Sequence, residues 1–410
     1  MRARLGSKGL TRRDFLKGAG LGLAANSIAP ALGSIAFVHN LRTAVLVPNS
    51  TRYPQLGENF TDGLKTYFSQ AGQRLNASFH RASPGAMITS ALKILTEQSI
   101  DVLVAYMNPL AALWLHPMLE ERQITLLVVD PGSQFVVESD QNPFVRYHSL
   151  NLWQSNWAMA SHAVTRFGQR AFLAASQYES GFSGLYAAQV GVEMAGGSVI
   201  DTTITHVQVE HDRLDQTISA IRSARPDFVF AAYSGAQAVE FVTAYHASGL
   251  SGEIPLVTSA YTVDDGLLSQ MGSAALGIQS AFSWAGTQPH QKNLDFVTAY
   301  HAQTARSADS LALLGYETAQ IIDHAARLAP DQRGVVLAQA ISTAQLDSPR
   351  GAVRSSSDAG RTSVVLREVQ QVNGCAQHVI TGLFDPLPEQ EVQARVATNN
   401  RTGWLNAYLS

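Results

Sequence analysis

From Thr43 onward, short β-branched runs alternate with longer segments of helical period, and that rhythm limits the architecture more than any other feature of the chain. Thr43-Ala-Val-Leu-Val47 reads as a strand, 57–70 as a helix, 77–80 as a strand, 86–97 as a helix and 101–106 as a strand. Residues 110–121 follow as a helix, and the wholly apolar "ITLLVV" of 124–129 as a buried strand. Such alternation predicts a parallel sheet with helices on both faces. The turn signal Asp130-Pro131-Gly132 closes this first sheet after four strands.

The unit then repeats. Helix 153–167, strand 170–175, helix 180–194, strand 198–204, helix 214–223, strand 227–231, helix 236–248 and strand 255–258 form the second series. "QSAFSW" at 279–284 reads as a crossing strand, while 293–305 and 310–328 are helices with no strand between them, suited to capping a sheet already formed. Segments 350–354 and 362–370 are expected to pair antiparallel. The expected fold class is therefore α/β, with two doubly wound parallel-sheet lobes joined by short strands that act as a hinge. Ligands of open parallel sheets sit beyond the C-terminal strand ends, so facing lobes would turn those loops toward one another.

At 410 residues the chain exceeds one core of ordinary size, where a length prior of about 150 residues per domain applies. A net charge of −3, from 29 basic and 32 acidic residues, supplies no electrostatic footprint for nucleic acid or an anionic membrane. The single cysteine, Cys375, excludes an internal disulfide and reads as a small packing residue. At the N-terminus, "TRRDFLKGAG" precedes a weakly apolar stretch to Val38 that is too rich in glycine and proline for a permanent membrane helix. Arg12-Arg13 with Phe15-Leu16-Lys17, and the small-residue site Ala29-Pro30-Ala31, predict a twin-arginine export signal over 1–31 and a periplasmic mature protein.

Catalytic motifs are weak throughout. "GAGLGLAA" in the leader imitates a phosphate loop, but no strand precedes it. Ser183 in "GFSGLY" lacks nucleophile-elbow spacing, and His206 and His211 lack a metal-site context and read as surface residues. Neither a cofactor nor a metal is expected, and an exported hydrolase or a ligand-sensing subunit stays open as one class of function.

Three stretches carry a resemblance: "YPQLGENFTDGLKTYFSQAG" after the first strand, "RPDFVFAAYSGAQAVEFVTAYHASGL" in the second series, and "SPRGAVR" with "VVLREVQ" near the end. In order and spacing they resemble the type I periplasmic binding proteins, in the Leu/Ile/Val-binding branch of ABC-transporter substrate receptors. The resemblance implies discontinuous lobes, with crossings near 147–152, 279–284 and 346–351. The N-terminal lobe would comprise 41–149 plus 285–346, the C-terminal lobe 150–280 plus 350–385, and a tail 386–410. It further implies a monomer that binds a small molecule, serves the permease of an ABC importer, and neither binds nucleic acid nor inserts into the membrane.

The same resemblance places candidate ligand contacts. Where amino-acid receptors offer hydroxyls to the ligand carboxylate, this chain has Asn108, Pro109 and Leu110; Ser133 and Gln134 stand in the next loop. Tyr178, with Phe182 close behind, takes the position of the closing aromatic. Where an acid would receive an ammonium group stand Ala260, Tyr261 and Thr262, while Asp264 and Asp265 read as the start of a helix. Tyr53 and Tyr233 complete the candidate set, with Phe135 and Trp284 as secondary aromatics. Tyrosines combine apolar area with one polar tip, which suits a planar or aliphatic ligand with few charges. Free leucine is accordingly expected to bind weakly or not at all, and calorimetry showing micromolar or tighter binding would overturn that expectation.

Overall fold

Two open sheets carry the structure. In the first, β1 (Thr43–Pro48), β2 (Ala77–Ala82), β3 (Val102–Tyr106), β4 (Thr125–Asp130) and β5 (Val145–Ser149) lie in the order β2-β1-β3-β4-β5, all parallel. The second holds β6 (Arg170–Ser176), β7 (Ser198–Thr205), β8 (Phe228–Ala232), β9 (Leu256–Thr258) and β10 (Gln279–Phe282). Its order β7-β6-β8-β9-β10 repeats the first, so each sheet has the doubly wound arrangement with a switch point beside its first strand. A short hairpin, β11 (Gln345–Ser348) and β12 (Gly351–Arg354), stands apart, and β13 (Val364–Val372) and β14 (Cys375–Phe384) extend the second sheet antiparallel from β10.

This computed structural model describes residues 37–38, 41–51, 53–132, 142–180, 183–205, 212–354 and 364–384. The export signal, Ser133, Gln134, Phe135, Phe182, His206, His211 and the 386–410 tail fall outside them. From Val38 onward the chain forms one compact unit. No helix among the described residues is long and apolar enough to cross a membrane.

The helices follow from periodicity and capping. They are α1 (Leu56–Gln70), α2 (Met87–Glu97), α3 (His116–Arg122), α4 (Leu152–Phe167), α5 (Ser183–Met194), α6 (Asp212–Ala224), α7 (Gly235–Ala247), α8 (Gln291–Thr304), α9 (Ser310–Leu328) and α10 (Gly334–Ser342). Asp309 caps α9 by accepting the Ala312 N–H at 2.8 Å, which satisfies one of the four free donors at the helix start. The α9 backbone lies directly on α1: a side chain at Gly63 would strike the Ala312 carbonyl, and one at Gly315 the Phe60 carbonyl. Only glycine permits so close an approach.

Several expectations are corrected. The first sheet has five strands, because Val145–Ser149 pairs with β4 before the chain leaves the lobe. Residues 110–121 form three short pieces, 109–112, 113–115 and 116–122, since Pro117 can stand only in a first turn. Segments 350–354 and 362–370 do not pair with each other; β12 folds back on β11, and β13 lies between β10 and β14. Helix α10 has no counterpart in the sequence reading. Cys375 is exposed beside the β13–β14 turn and does not serve as packing.

Where the chain passes between the sheets, one buried ion cluster fastens it. Glu317 of α9 accepts from Arg350 Nε at 2.7 Å and Nη2 at 2.9 Å, lies 2.9 Å from His148 Nε2, and also accepts from the Ser348 hydroxyl. Arg350 reaches the Ser283 hydroxyl at 3.1 Å and the Ser149 carbonyl at 3.2 Å as well, and Ser283 donates to the Leu150 carbonyl. One guanidinium thus ties the first passage, the second passage and the β11–β12 turn to α9. Burial alone would push the Glu317 carboxyl up, but the Arg350 charge and the His148 contact outweigh it and hold it at about 2.

Arg350→Met leaves Glu317 buried without its cation and is expected to destabilise the protein by about 3–5 kcal/mol, measured by urea denaturation. Because the folded carboxyl titrates below its unfolded counterpart, near 4.3, its stabilisation holds above that pH and is lost as pH falls toward about 2. The deficit of the variant should therefore be largest above about pH 4.3 and shrink as pH falls toward 2, where the wild-type carboxyl also gives up its charge.

Candidate functional site

The C-terminal ends of both sheets meet in a cleft lined by tyrosines and carboxyl groups. From the first lobe come Tyr53, in the loop between β1 and α1, Tyr106 at the end of β3, and Asp130 at the end of β4. The second lobe supplies Tyr178 and Glu179 just after β6, and Tyr261 and Asp264 after β9. Tyr53 crosses the gap, since its half-buried ring packs on the apolar cluster of the second lobe that includes Tyr233, Phe241 and Leu267. At the N-terminus of α9, the Ser310 hydroxyl donates to Asp264 of the opposite lobe.

Charge interactions show which groups share this space. Burial raises the Tyr53 hydroxyl well above its usual range, and Asp264, Asp309, Tyr261 and Tyr106 add to the effect. Tyr106 is raised by burial and then by Tyr261, Tyr178, Asp130 and Glu179. Tyr261 is raised by burial and by Asp264, Asp130 and Asp309. Tyr53, Tyr106 and Tyr261 therefore share one connected set of acids, and Tyr178 stands against Tyr106.

The acids themselves are held toward their neutral forms. Burial pushes Asp130 up to about 7, against only a backbone N–H from Gly132. Glu179 is raised by burial and partly brought back by the Ser234 hydroxyl, which donates at 2.5 Å. Burial also raises Asp264 and Asp309, the latter further because the two carboxyls face each other across the cleft. Asp265 has a cation, Arg367 Nη1 at 3.7 Å, yet burial still lifts it to about 7. The Arg367 guanidinium is already engaged by the Ser280 hydroxyl and the carbonyls of Trp284 and Ala260.

The expected residues divide unevenly. Tyr53, Tyr178 and Tyr261 come together, with Tyr178 at 48% exposure forming the rim and Tyr261 at 6% the floor. Asn108 follows the C-terminal end of β3, and its side-chain carbonyl accepts the Leu110 N–H at 2.8 Å as the cap of the 109–112 turn. Tyr233 is set apart: it stacks on Phe241 at 4.2 Å, and its hydroxyl is 2.8 Å from Thr205. Trp284 is likewise a core residue, donating to Asn293 at 2.8 Å. The expectation that Asp264 and Asp265 begin a helix is corrected, because the next helical turn starts at Leu268 and Asp264 is spent on Ser310 and Gly266.

Sequence reading missed Tyr106, Asp130, Glu179, Asp264 and Asp309 as site residues. Tyr106, Asp130 and Glu179 could have been found by asking which polar groups lie at the C-terminal end of a strand or just past it. Gly132, at φ +80°, explains the misreading of Asp130 as mere turn chemistry: a side chain there would meet the Asn151 N at 2.6 Å, so the turn is real and the acid beside it faces the cleft.

A separate open groove of about 700 Å³ runs between α1 and α8, lined by Glu58, Asp62, Lys65 and Arg306 among others. Its charges pair with one another, Arg306 with Asp62 at 2.5 Å and Lys65 with Asp62 at 3.5 Å, and no cleft tyrosine lines it.

A family model described as periplasmic binding protein matches residues 41–375. The Leu/Ile/Val-binding protein homolog 6 of Brucella melitensis biotype 1 is 21% identical over 287 residues, covering 68% of this chain and 73% of that protein. A solute-binding protein of an ABC transporter from R. palustris, in complex with benzoate, superposes with a TM-score of 0.74 at 24% identity, over 84% of this chain and 96% of that one. Another, from Rhodopseudomonas palustris BisB5 in complex with 3,4-dihydroxy benzoic acid, gives 0.76 at 19%, over 86% and 99%.

Tyr233→Phe removes the Thr205 contact and is expected to cost about 1 kcal/mol in a urea titration. Tyr261→Phe should be close to neutral, because the Tyr261 hydroxyl is buried without a hydrogen bond of good geometry. Equal losses in the two variants would show that Tyr261 has a firm partner.

Proposed function

This chain belongs to the periplasmic binding protein family, and we propose that it is an extracytoplasmic receptor for a small organic solute with a planar body. The lobes, 41–149 plus 285–346 and 150–280 plus 350–385, close on that solute, and the loaded monomer delivers it chemically intact to the permease of an ABC-type importer. The chain reaches the periplasm by the twin-arginine route. One observation carries the reading: Tyr53 and Tyr106 of one lobe share a pocket of charge with Tyr178 and Tyr261 of the other. Four phenol rings offer apolar faces to a flat guest and polar tips to its edge. Two structural neighbours were solved with benzoate and 3,4-dihydroxy benzoic acid, ligands of that shape.

Asn108, Ser133, Gln134 and Phe182 remain proposed contacts through their loops, whereas Tyr233 acts from behind as packing. Contacts made by both lobes at once exist only in the closed form, and that difference in affinity is what shifts the population.

A thermal-shift screen of aromatic acids, amides, amines and amino acids should give a melting temperature that rises with ligand by mass action, with the compound recovered unaltered. Tyr178→Ala should raise the dissociation constant about tenfold while leaving the unliganded melting temperature in place. Consumption of the compound, or unchanged affinity in that variant, would count against the reading.

A further inference from the structure

The cleft has acids from both lobes, and among the described residues no basic side chain partners the one at the end of β4. Asp130 is buried, and among the described residues its compensating contact is the backbone N–H of Gly132. Across the β4–β5 pairing it stands beside Ser149, whose carbonyl is already given to Arg350. The titratable groups it faces are Tyr106 of its own lobe and Tyr261 of the other. Tyr261 is itself buried with an unpartnered hydroxyl, Ser310 lying close but giving its hydrogen to Asp264. A buried carboxyl beside a buried hydroxyl with no bond to make is a site that a donor group would complete.

The described cations near the cleft are committed elsewhere. Arg367 is held by Ser280, two carbonyls and Asp265; Arg350 by Glu317; Arg306 by Asp62 and Asn59. A carboxylate guest would therefore enter a low-dielectric space opposite Asp130, Glu179 and Asp264 with no described positive charge to receive it.

We propose that the cleft is selective for a flat ligand ending in a hydrogen-bond donor, a protonated amine or amidine, received by Asp130 with the Tyr106 and Tyr261 hydroxyls, and that it rejects the corresponding carboxylate. The proposal rests on the receptor reading above and adds the charge class of the ligand. It also separates this chain from the two neighbours that were solved with benzoates.

Three probes of one shape test it on the mature protein: benzamidine, benzamide and benzoate, each titrated calorimetrically. Benzamidine should bind tightest and benzoate weakest. A cationic guest needs Asp130 ionised, and the free carboxyl titrates near 7, so benzamidine affinity should rise about tenfold from pH 6 to pH 8. Asp130→Asn should weaken benzamidine and flatten that profile while changing benzamide little. Benzoate binding as tightly as benzamidine would overturn the inference, decisively so if Arg52→Gln, beside Tyr53 in sequence, then abolished it. Failure of benzamidine to bind at all would overturn it too, whereas the receptor reading falls only if the wider screen also yields no ligand.

Discussion

The geometry of the whole molecule hangs on the bidentate pair between Arg350 and Glu317. Both side chains are fully buried, and a pair so placed is stable only when its remaining donors and acceptors are met. Here they are: Ser283, the Ser149 carbonyl, Ser348 and His148 complete the shell. Those partners belong to different passages of the chain between lobes, so satisfying one charge fixes several strands at once. A hydrophobic replacement could fill the same volume but would not dictate which strands lie together. The cluster therefore sets where the two sheets can meet, and hence which loops can face each other.

What meets there is a chemically coherent set. Tyrosines from four separate segments at strand ends supply apolar area, and buried carboxyls, raised by burial rather than by any one neighbour, supply acceptors. Such acids are poised, because each can be neutral in the empty cleft and ionised opposite a donor. The membership in a family of solute-binding proteins gives the scaffold; the proposed choice of guest lies in these side chains.

The sequence made the repeated sheets legible because burial on both faces leaves runs such as "ITLLVV" and "DFVFAA" with little else they could be. It showed the hinge less well, since β5 has the mixed composition "VRYHS" and owes its place to pairing with β4. Tyr53, Tyr178 and Tyr261 were visible because an aromatic in a loop after a strand has few structural uses. Tyr233 looked the same on paper, one residue beyond β8, but its ring turns inward onto Phe241 because Thr205 offers it a buried partner. The carboxyls were hidden for the opposite reason: Asp in a turn is so common that only its burial, a tertiary property, marks it out.

Helix α9 carries both ends of this arrangement. Ser310 and Glu317 are two turns apart on one face, about 10 Å along a rod whose backbone is pressed against α1 through Gly63 and Gly315. A rod so braced cannot bend between them. In the proposed binding mode, force applied by a guest at its tip would be delivered to the fulcrum, which would make α9 the lever of the molecule, with its mechanical advantage set by Gly63 and Gly315.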